Sequence, residues 1–223
     1  HLSGPYDLGG ITFETVLSDQ PYLFVAYIPH VLMGMQEVYG NIFNQLEDIF
    51  KPQFADIISR LYNDAPLFDV NQDLIVRLLL DFGSSTPKFM LQDSTLANLQ
   101  SNPNHPIIKA LKDNTLTEWA PQIPTRLVYC MADEQVPFRN AIVADSIMNE
   151  RGALDVDAIN IDPQANHGGC VEPAFEYTLD FFDQFISTDQ EEKIALAKAR
   201  VKTDSEGIQI EFEDAIDRTV ELY

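Results

Sequence analysis

Residues 126–137 read RLVYCMADEQVP, and residues 155–170 read DVDAINIDPQANHGGC. Each stretch begins with a short β-prone run and continues into residues that favour turns. We therefore predict two short strands, each followed by a loop. The first loop carries Asp133 and the second carries His167.

Helical patterns follow both loops. Pro137 stands where a helix can begin, and Gly152 stands where that helix is expected to end. After the second loop, apolar spacing typical of a helix runs through Phe175, Thr178, Leu179, Phe182, Phe185 and Ile186. The order strand, loop, helix, strand, loop, helix predicts two neighbouring parallel strands in a helix-covered sheet. Loops at the carboxyl ends of such strands meet at one edge, so Asp133 and His167 are expected to lie close together.

The chain before these strands has a different character. Residues 2–8 predict the end of a strand, with a tight turn at Gly9 and Gly10. Residues 19–120 contain no convincing strand, and their helical patterns lie at 22–36, 41–62, 71–82 and 106–119. Pro52 interrupts the second pattern and favours two short helices over one long helix.

The tail after Ser187 is charged. It predicts a helix from about 189 to 201 and an exposed strand at 208–212. No function can be assigned to the tail from its sequence.

The composition argues against one class of binding partner. The chain has 223 residues, 45% of them hydrophobic, and 35 acidic against 14 basic residues give a formal charge of −21. Such an acidic surface repels phosphate backbones, which argues against nucleic acid as a partner.

No apolar run approaches the roughly 20 residues that span a bilayer, so stable membrane insertion is not expected. The start, HLSGP, has the character of an internal sequence, and a missing N-terminal part of the same protein is therefore expected.

Asp133 and His167 are the candidate catalytic residues. A serine hydrolase needs a nucleophile, a base and a buried carboxylate that orients the base. The two residues are 34 positions apart with the acid first, and Gly168 and Gly169 after the histidine permit a tight backbone path. The competing interpretation is that Asp133 caps a turn and His167 is an ordinary loop residue. Asp7 is the second candidate acid, although a turn residue before Gly9 is the better interpretation of it.

Three segments together resemble α/β-hydrolases of the secretory lipase and esterase type. They are Gly4-Pro5-Tyr6-Asp7-Leu8, Ala132-Asp133-Glu134-Gln135-Val136-Pro137 and Asn166-His167-Gly168-Gly169-Cys170. The resemblance implies an α/β fold, namely the C-terminal part of an α/β-hydrolase parallel sheet with a large helical lid insertion. It divides the chain into a core strand and turn (1–18), the lid (19–120), the C-terminal core with the acid and histidine loops (121–187) and the charged tail (188–223).

The nucleophile of that family is missing from this sequence. A nucleophile elbow reads G-x-S-x-G, and no such motif occurs here. Gly83-Ser84-Ser85-Thr86 lacks the second glycine and is predicted to be a loop. The serine and the oxyanion hole are therefore expected upstream of these residues.

The resemblance implies a hydrolase of carboxylic esters that acts through an acyl-enzyme on a small ester or acyl substrate. His167 would be the base and Asp133 its orienter, and neither a cofactor nor a metal is required. Two alternatives stay open. One is a serine peptidase of the prolyl type, which shares the order of acid and histidine. The other is a hydrolase-like domain that binds without catalysis.

Cys130 precedes Asp133 by three residues, and Cys170 follows His167 by three. If the acid and the histidine meet, the two sulfur atoms come within bonding reach, and a disulfide would indicate an oxidising compartment. A secreted, periplasmic or cell-envelope protein is then expected. The alternative is two buried free thiols.

Bulky apolar side chains of the helical segment suggest a pocket for an acyl group. The candidates are Phe24, Tyr27, Met33, Met35, Phe43, Phe50, Phe54 and Phe89, most of which are expected to be core. Glu134 and Tyr6 are candidates to flank the site on the ground of proximity alone.

Overall fold

A computed structural model describes residues 2–185 together with the residue pairs 203–204 and 207–208. Contacts divide the chain into one unit of residues 1–174 and a second of residues 175–223.

The start of the chain makes one bridge to the later sheet and then becomes helical. Leu2 pairs in parallel with Val128, and the Ser3 N–H donates to the Val128 carbonyl at 2.8 Å. The tight turn predicted at Gly9 and Gly10 is wrong, because a wide helical turn, Leu8–Thr12, leads directly into α1 (Phe13–Leu17). The Asp7 carboxylate accepts the Ile11 N–H at 3.0 Å and so caps this turn.

The segment 19–120 is helical, as its sequence predicts. It contains α2 (Tyr27–Tyr39), α3 (Pro52–Ser59), α4 (Leu67–Phe82), α5 (Asp93–Ser101) and α6 (Pro106–Asp113). Short 3₁₀ turns at Leu46–Asp48, Arg60–Asn63 and Pro87–Met90 connect some of them. Pro52 is the first residue of α3, where its missing N–H is tolerated, so the predicted boundary at this proline is confirmed. The first of the two predicted short helices is instead only the 3₁₀ turn Leu46–Asp48.

These helices surround a hydrophobic core of their own. The side chains that are completely buried include Val25, Phe50, Phe54, Ile58, Val70, Leu74, Leu78 and Met90. On α4 the buried residues Val70, Leu74 and Leu78 recur every four positions, which is the spacing of one helix face. Burial of that face stabilises the helix, because helices of this length are marginal in isolation.

The two predicted strands form a parallel pair. β1 (Thr125–Cys130) lies beside β2 (Val156–Asp162), and α7 (Arg139–Glu150) makes the crossover between them. The helix begins at Arg139, two residues after Pro137, and Gly152 follows it with a positive φ of 92°. The coarse prediction of an α/β fold with a parallel sheet is thereby confirmed.

The second hydrophobic core lies between α7 and one face of the sheet. Its buried members are Tyr6, Leu127, Tyr129, Ala141, Ala144, Met148 and Val156. Ala144 is completely buried, and such small residues let the helix approach the strands closely.

The last helix, α8 (His167–Asp183), begins earlier than its apolar pattern predicts. The turn expected at residues 162–169 therefore ends at Asn166, whose side chain accepts the Gly169 N–H at 2.8 Å and caps the helix. Gly168 and Gly169 have no positive φ. The backbone freedom that we attributed to them is not used.

The apolar stripe of α8 is exposed rather than buried. Phe175, Leu179 and Phe182 on α8, and Phe185 just after it, are each more than half exposed, while the sixth predicted member, Ile186, lies outside the described residues. The buried residues of the helix, Cys170, Ala174 and Phe181, lie on a different face from the predicted stripe.

The tail is described only at two short strands. β3 (Thr203–Asp204) and β4 (Gly207–Ile208) pair in an antiparallel manner. The helix predicted at 189–201 and most of the strand predicted at 208–212 lie outside the described residues. In the part of the chain that is described, no helix combines the length and apolar character needed to cross a bilayer.

Asn140 in α7 connects the start of the chain to the helix. Its side-chain oxygen accepts the Asp7 N–H at 2.9 Å, and its amide nitrogen donates to the Pro137 carbonyl at 3.1 Å. The residue is only 1% exposed, so water cannot replace these bonds.

Replacement of Asn140 by alanine should lower the free energy of unfolding by about 1–3 kcal/mol, because it leaves the Asp7 N–H without its acceptor. Urea denaturation followed by circular dichroism measures this loss. Asn98→Ala, at an exposed position of α5, is the control and should change stability by less than about 0.5 kcal/mol. Equal stability of the two variants would contradict a structural role for Asn140.

Candidate active site

The parallel pairing of β1 and β2 brings their carboxyl ends to one edge of the sheet. Tyr129 is opposite Asn160, and after a register shift Cys130 is opposite Asp162. The turn with Asp133 follows β1 directly, and the turn that leads to His167 follows β2.

Asp133 is held rigidly in its turn. One carboxylate oxygen, Oδ1, accepts the N–H groups of Gln135 and Val136, both at 2.9 Å. The other oxygen, Oδ2, lies 2.9 Å from Nδ1 of His167. The Asp133 side chain is 1% exposed, so each oxygen is shielded from water and has a partner within the protein.

His167 is the first residue of α8, and its ring is one-third exposed. Nδ1 faces Asp133, which favours the tautomer with the proton on Nδ1, while Nε2 makes no hydrogen bond among the described residues. A ring held by one nitrogen and open at the other can accept a proton from a neighbouring group. This geometry is the one that a base and its orienting acid require.

Glu134 supports the backbone of the same site. Its Oε2 accepts the His167 N–H at 3.0 Å, which satisfies one of the free donors at the amino end of α8. The expected flanking role of Glu134 thus has a specific contact. Tyr6 lies instead in the second core, where burial raises its pKa to about 12.

A disulfide joins Cys130 to Cys170, with an S–S distance of 2.05 Å and a Cα–Cα distance of 5.9 Å. The predicted bond is confirmed. It links the last residue of β1 to the first turn of α8, so the backbone segments that carry Asp133 and His167 are covalently connected.

The other candidates stay apart from this pair. The carboxylate of Asp7 caps Ile11, and its N–H binds Asn140, so its contacts match the interpretation as a turn residue. Ser84 bonds to Thr86, in agreement with a loop at 83–86. No serine in the described part of the chain is bonded to His167, and no group of three or more metal-ligating side chains there could hold a metal ion.

An apolar cavity of about 110 Å³ lies in the first unit. It is lined by Leu8, Thr12, Phe13, Val16, Leu17, Tyr22, Tyr27, Ile28, Val31, Leu32, Leu91, Leu99, Ile107 and Leu111. Of the eight bulky residues that the sequence suggested for such a pocket, only Tyr27 lines this one. Met35, Phe43, Phe50 and Phe54 are buried in the helical core, as most were expected to be.

Tyr22 was not identified from the sequence as a site residue. Its ring lines the cavity, and its hydroxyl donates to the Gln135 carbonyl at 2.8 Å, within the Asp133 turn. A single aromatic residue ahead of a helix carries no signal for a contact 113 residues away.

Comparison with solved structures finds chains of similar fold. The rice cell wall degrading esterase LipA from Xanthomonas oryzae matches with a TM-score of 0.62 and 26% identity over 78% of this chain. A protein from Legionella pneumophila assigned as a hydrolase matches with a TM-score of 0.64 and 19% identity over 82% of this chain. The chain spans 45% of the length of each of these proteins.

The structural comparison shows an esterase- or hydrolase-like fold of which this chain represents a part. The Legionella protein, at 19% identity, shows the fold alone. No protein-family model and no curated protein sequence matches the chain.

Removal of the disulfide, as Cys130→Ala with Cys170→Ala, should lower the free energy of unfolding by roughly 2–4 kcal/mol, since the bond closes a long loop of 40 residues. Guanidinium denaturation measures the change. Reduction of the unmodified protein by dithiothreitol removes the same bond without a mutation and should cause a similar loss of stability. Unchanged midpoints after either treatment would show that the bond contributes nothing to stability.

Proposed function

We propose that this chain is the C-terminal portion of a serine hydrolase that cleaves carboxylic esters through an acyl-enzyme. The observation that carries the proposal is the 2.9 Å contact between buried Asp133 and Nδ1 of His167, together with the free Nε2 of the same ring. The fold shared with the esterase LipA supports ester hydrolysis as the reaction.

In the proposed mechanism, His167 acts first as a base. A serine on the part of the protein that precedes these residues attacks the ester carbonyl carbon, and its proton passes to Nε2. The imidazolium then gives that proton to the departing alkoxide as the C–O bond breaks, which leaves an acyl-serine. Water attacks the acyl-serine in the same way and regenerates both residues. Asp133 orients the ring throughout and stabilises the imidazolium.

The apolar cavity is the proposed site for the acyl group. Its wall includes α1, α2 and residues of α5 and α6, and its size compares with the cavity of about 150 Å³ that binds benzene in another protein. A small apolar group therefore fits it. On this proposal the segment 19–120 serves as the lid of the enzyme, and 121–187 serves as the C-terminal hydrolase core.

The disulfide supports an oxidising location, so we propose that the protein is secreted or resides in the periplasm or cell envelope. The exposed apolar stripe of α8 is consistent with a further portion of the same protein that contributes the nucleophile. Neither a metal nor a cofactor has a role in the proposed reaction.

In the full-length natural protein, His167→Ala should abolish both hydrolysis of p-nitrophenyl butyrate and labelling by a fluorophosphonate probe. Asp133→Asn should lower turnover by roughly 10⁴-fold, because the ring loses its orienting carboxylate.

Asp162→Asn is the matched control for these variants. The Asp162 carboxylate also caps a turn, accepting the Gln164 N–H at 2.7 Å, but it does not contact His167. This variant should retain nearly full turnover. If no serine is labelled in the unmodified protein, the chain is a non-catalytic relative. If dipeptide amides are cleaved faster than esters, the enzyme is a peptidase.

Narrowing of the cavity should change the preference for acyl-chain length. Val31 lies at the cavity wall and is 37% exposed, so Val31→Phe can fill the opening without disturbing the core. The ratio of kcat/KM for p-nitrophenyl octanoate to kcat/KM for p-nitrophenyl acetate should fall about tenfold, because the longer acyl chain can no longer be buried in the cavity. Val38→Phe, two turns further along α2, is the control and should leave this ratio unchanged. Equal ratios in both variants would remove the cavity from substrate binding.

A further inference from the structure

Tyr22 joins the apolar cavity to the loop that carries the acid. Its backbone N–H donates to the Ser85 carbonyl at 3.2 Å, and its hydroxyl donates to the Gln135 carbonyl at 2.8 Å. The ring between these two fixed points forms part of the cavity wall. Tyr22 is thus attached to the helical segment at one end and to the acid loop at the other.

Gln135, which is bound by Tyr22, is also bound by Asp133. Gln135 donates its N–H to Oδ1 of Asp133 at 2.9 Å, while its carbonyl accepts the Tyr22 hydroxyl. The path from the cavity to the imidazole therefore runs through three hydrogen bonds: from Tyr22 to Gln135, from Gln135 to Asp133, and from Asp133 to His167.

The Tyr22 hydroxyl is suited to act as a permanent hydrogen-bond donor. Burial, together with smaller contributions from the neighbouring Tyr27, Asp133 and Glu134, raises its pKa to about 12. The phenol therefore stays protonated, and it donates to a carbonyl that can only accept.

We propose that Tyr22 is a positioning residue that fixes the Asp133 turn against the cavity wall and thereby keeps Asp133 in contact with His167. A group that fills the cavity would touch the same ring that holds the acid loop. The effect of Tyr22 on turnover rests on the proposed function, whereas its effect on the contact between Asp133 and His167 does not.

Tyr22→Phe tests this proposal, because it removes the hydroxyl and keeps the ring. Tyr27→Phe is the matched control, since Tyr27 lines the same cavity and its hydroxyl makes no hydrogen bond among the described residues. The readout is solvent exchange of the Nδ1 proton of His167, followed by nuclear magnetic resonance at low temperature in ¹⁵N-histidine-labelled protein. A His167→Gln sample identifies the signal.

Exchange should become about fivefold faster in Tyr22→Phe, the factor expected from loss of one hydrogen bond of typical net strength, and should stay unchanged in Tyr27→Phe. An unchanged rate in Tyr22→Phe overturns the proposal. Equal acceleration in both variants overturns it as well, because the effect would then come from the cavity and not from the bond to Gln135. Thermal unfolding of each variant shows whether the fold is retained, and amide exchange at Gln135 gives a second local measurement in any variant of lowered stability.

In the full-length natural protein, Tyr22→Phe should lower kcat about fivefold for short and long esters alike, with KM unchanged, when rates are normalised to sites labelled by fluorophosphonate. Absence of labelling would reject the proposed function and leave the exchange result standing. Normal kcat together with unchanged exchange would reject the positioning role and leave the esterase proposal standing.

Discussion

The parallel pairing of β1 with β2 is the constraint on which the site depends. Because both strands run in the same direction, their carboxyl ends meet at one edge, and the residues that follow them are neighbours although they are 34 positions apart. A shift of register would separate Asp133 from His167 and Cys130 from Cys170 together. The disulfide and the imidazole–carboxylate contact are therefore two results of one backbone arrangement, and each favours the other.

Asp133 and His167 have opposite environments. Asp133 is nearly inaccessible, and three hydrogen-bonding groups occupy its two oxygens, so the carboxylate has no freedom to turn away. His167 is partly open and has one nitrogen unoccupied within the described residues. Proton transfer requires this combination. The contact with Asp133 at Nδ1 must hold the ring in place while different reacting partners approach Nε2.

Much of this could be predicted from local patterns. The two strands, the crossover helix and the boundary at Pro52 follow from periodicity and proline chemistry, and the disulfide follows from the spacing of Cys130 and Cys170 around the candidate pair. The beginning of α8 at His167 could not be predicted, because the cap supplied by Asn166 resembles an ordinary turn signal. The role of Tyr22 could not be predicted either, since it depends on a tertiary contact that no local pattern encodes.

The exposed face of α8 has a consequence for handling the isolated chain. Three large apolar side chains along this helix, Phe175, Leu179 and Phe182, favour self-association, whereas a charge of −21 keeps molecules apart by mutual repulsion. The repulsion is long-ranged only at low ionic strength, and the Debye length falls to about 10 Å at 0.1 M salt. The colloidal behaviour of this polypeptide is thus governed by its buffer, with dilute electrolyte favouring monomers and concentrated electrolyte favouring clusters.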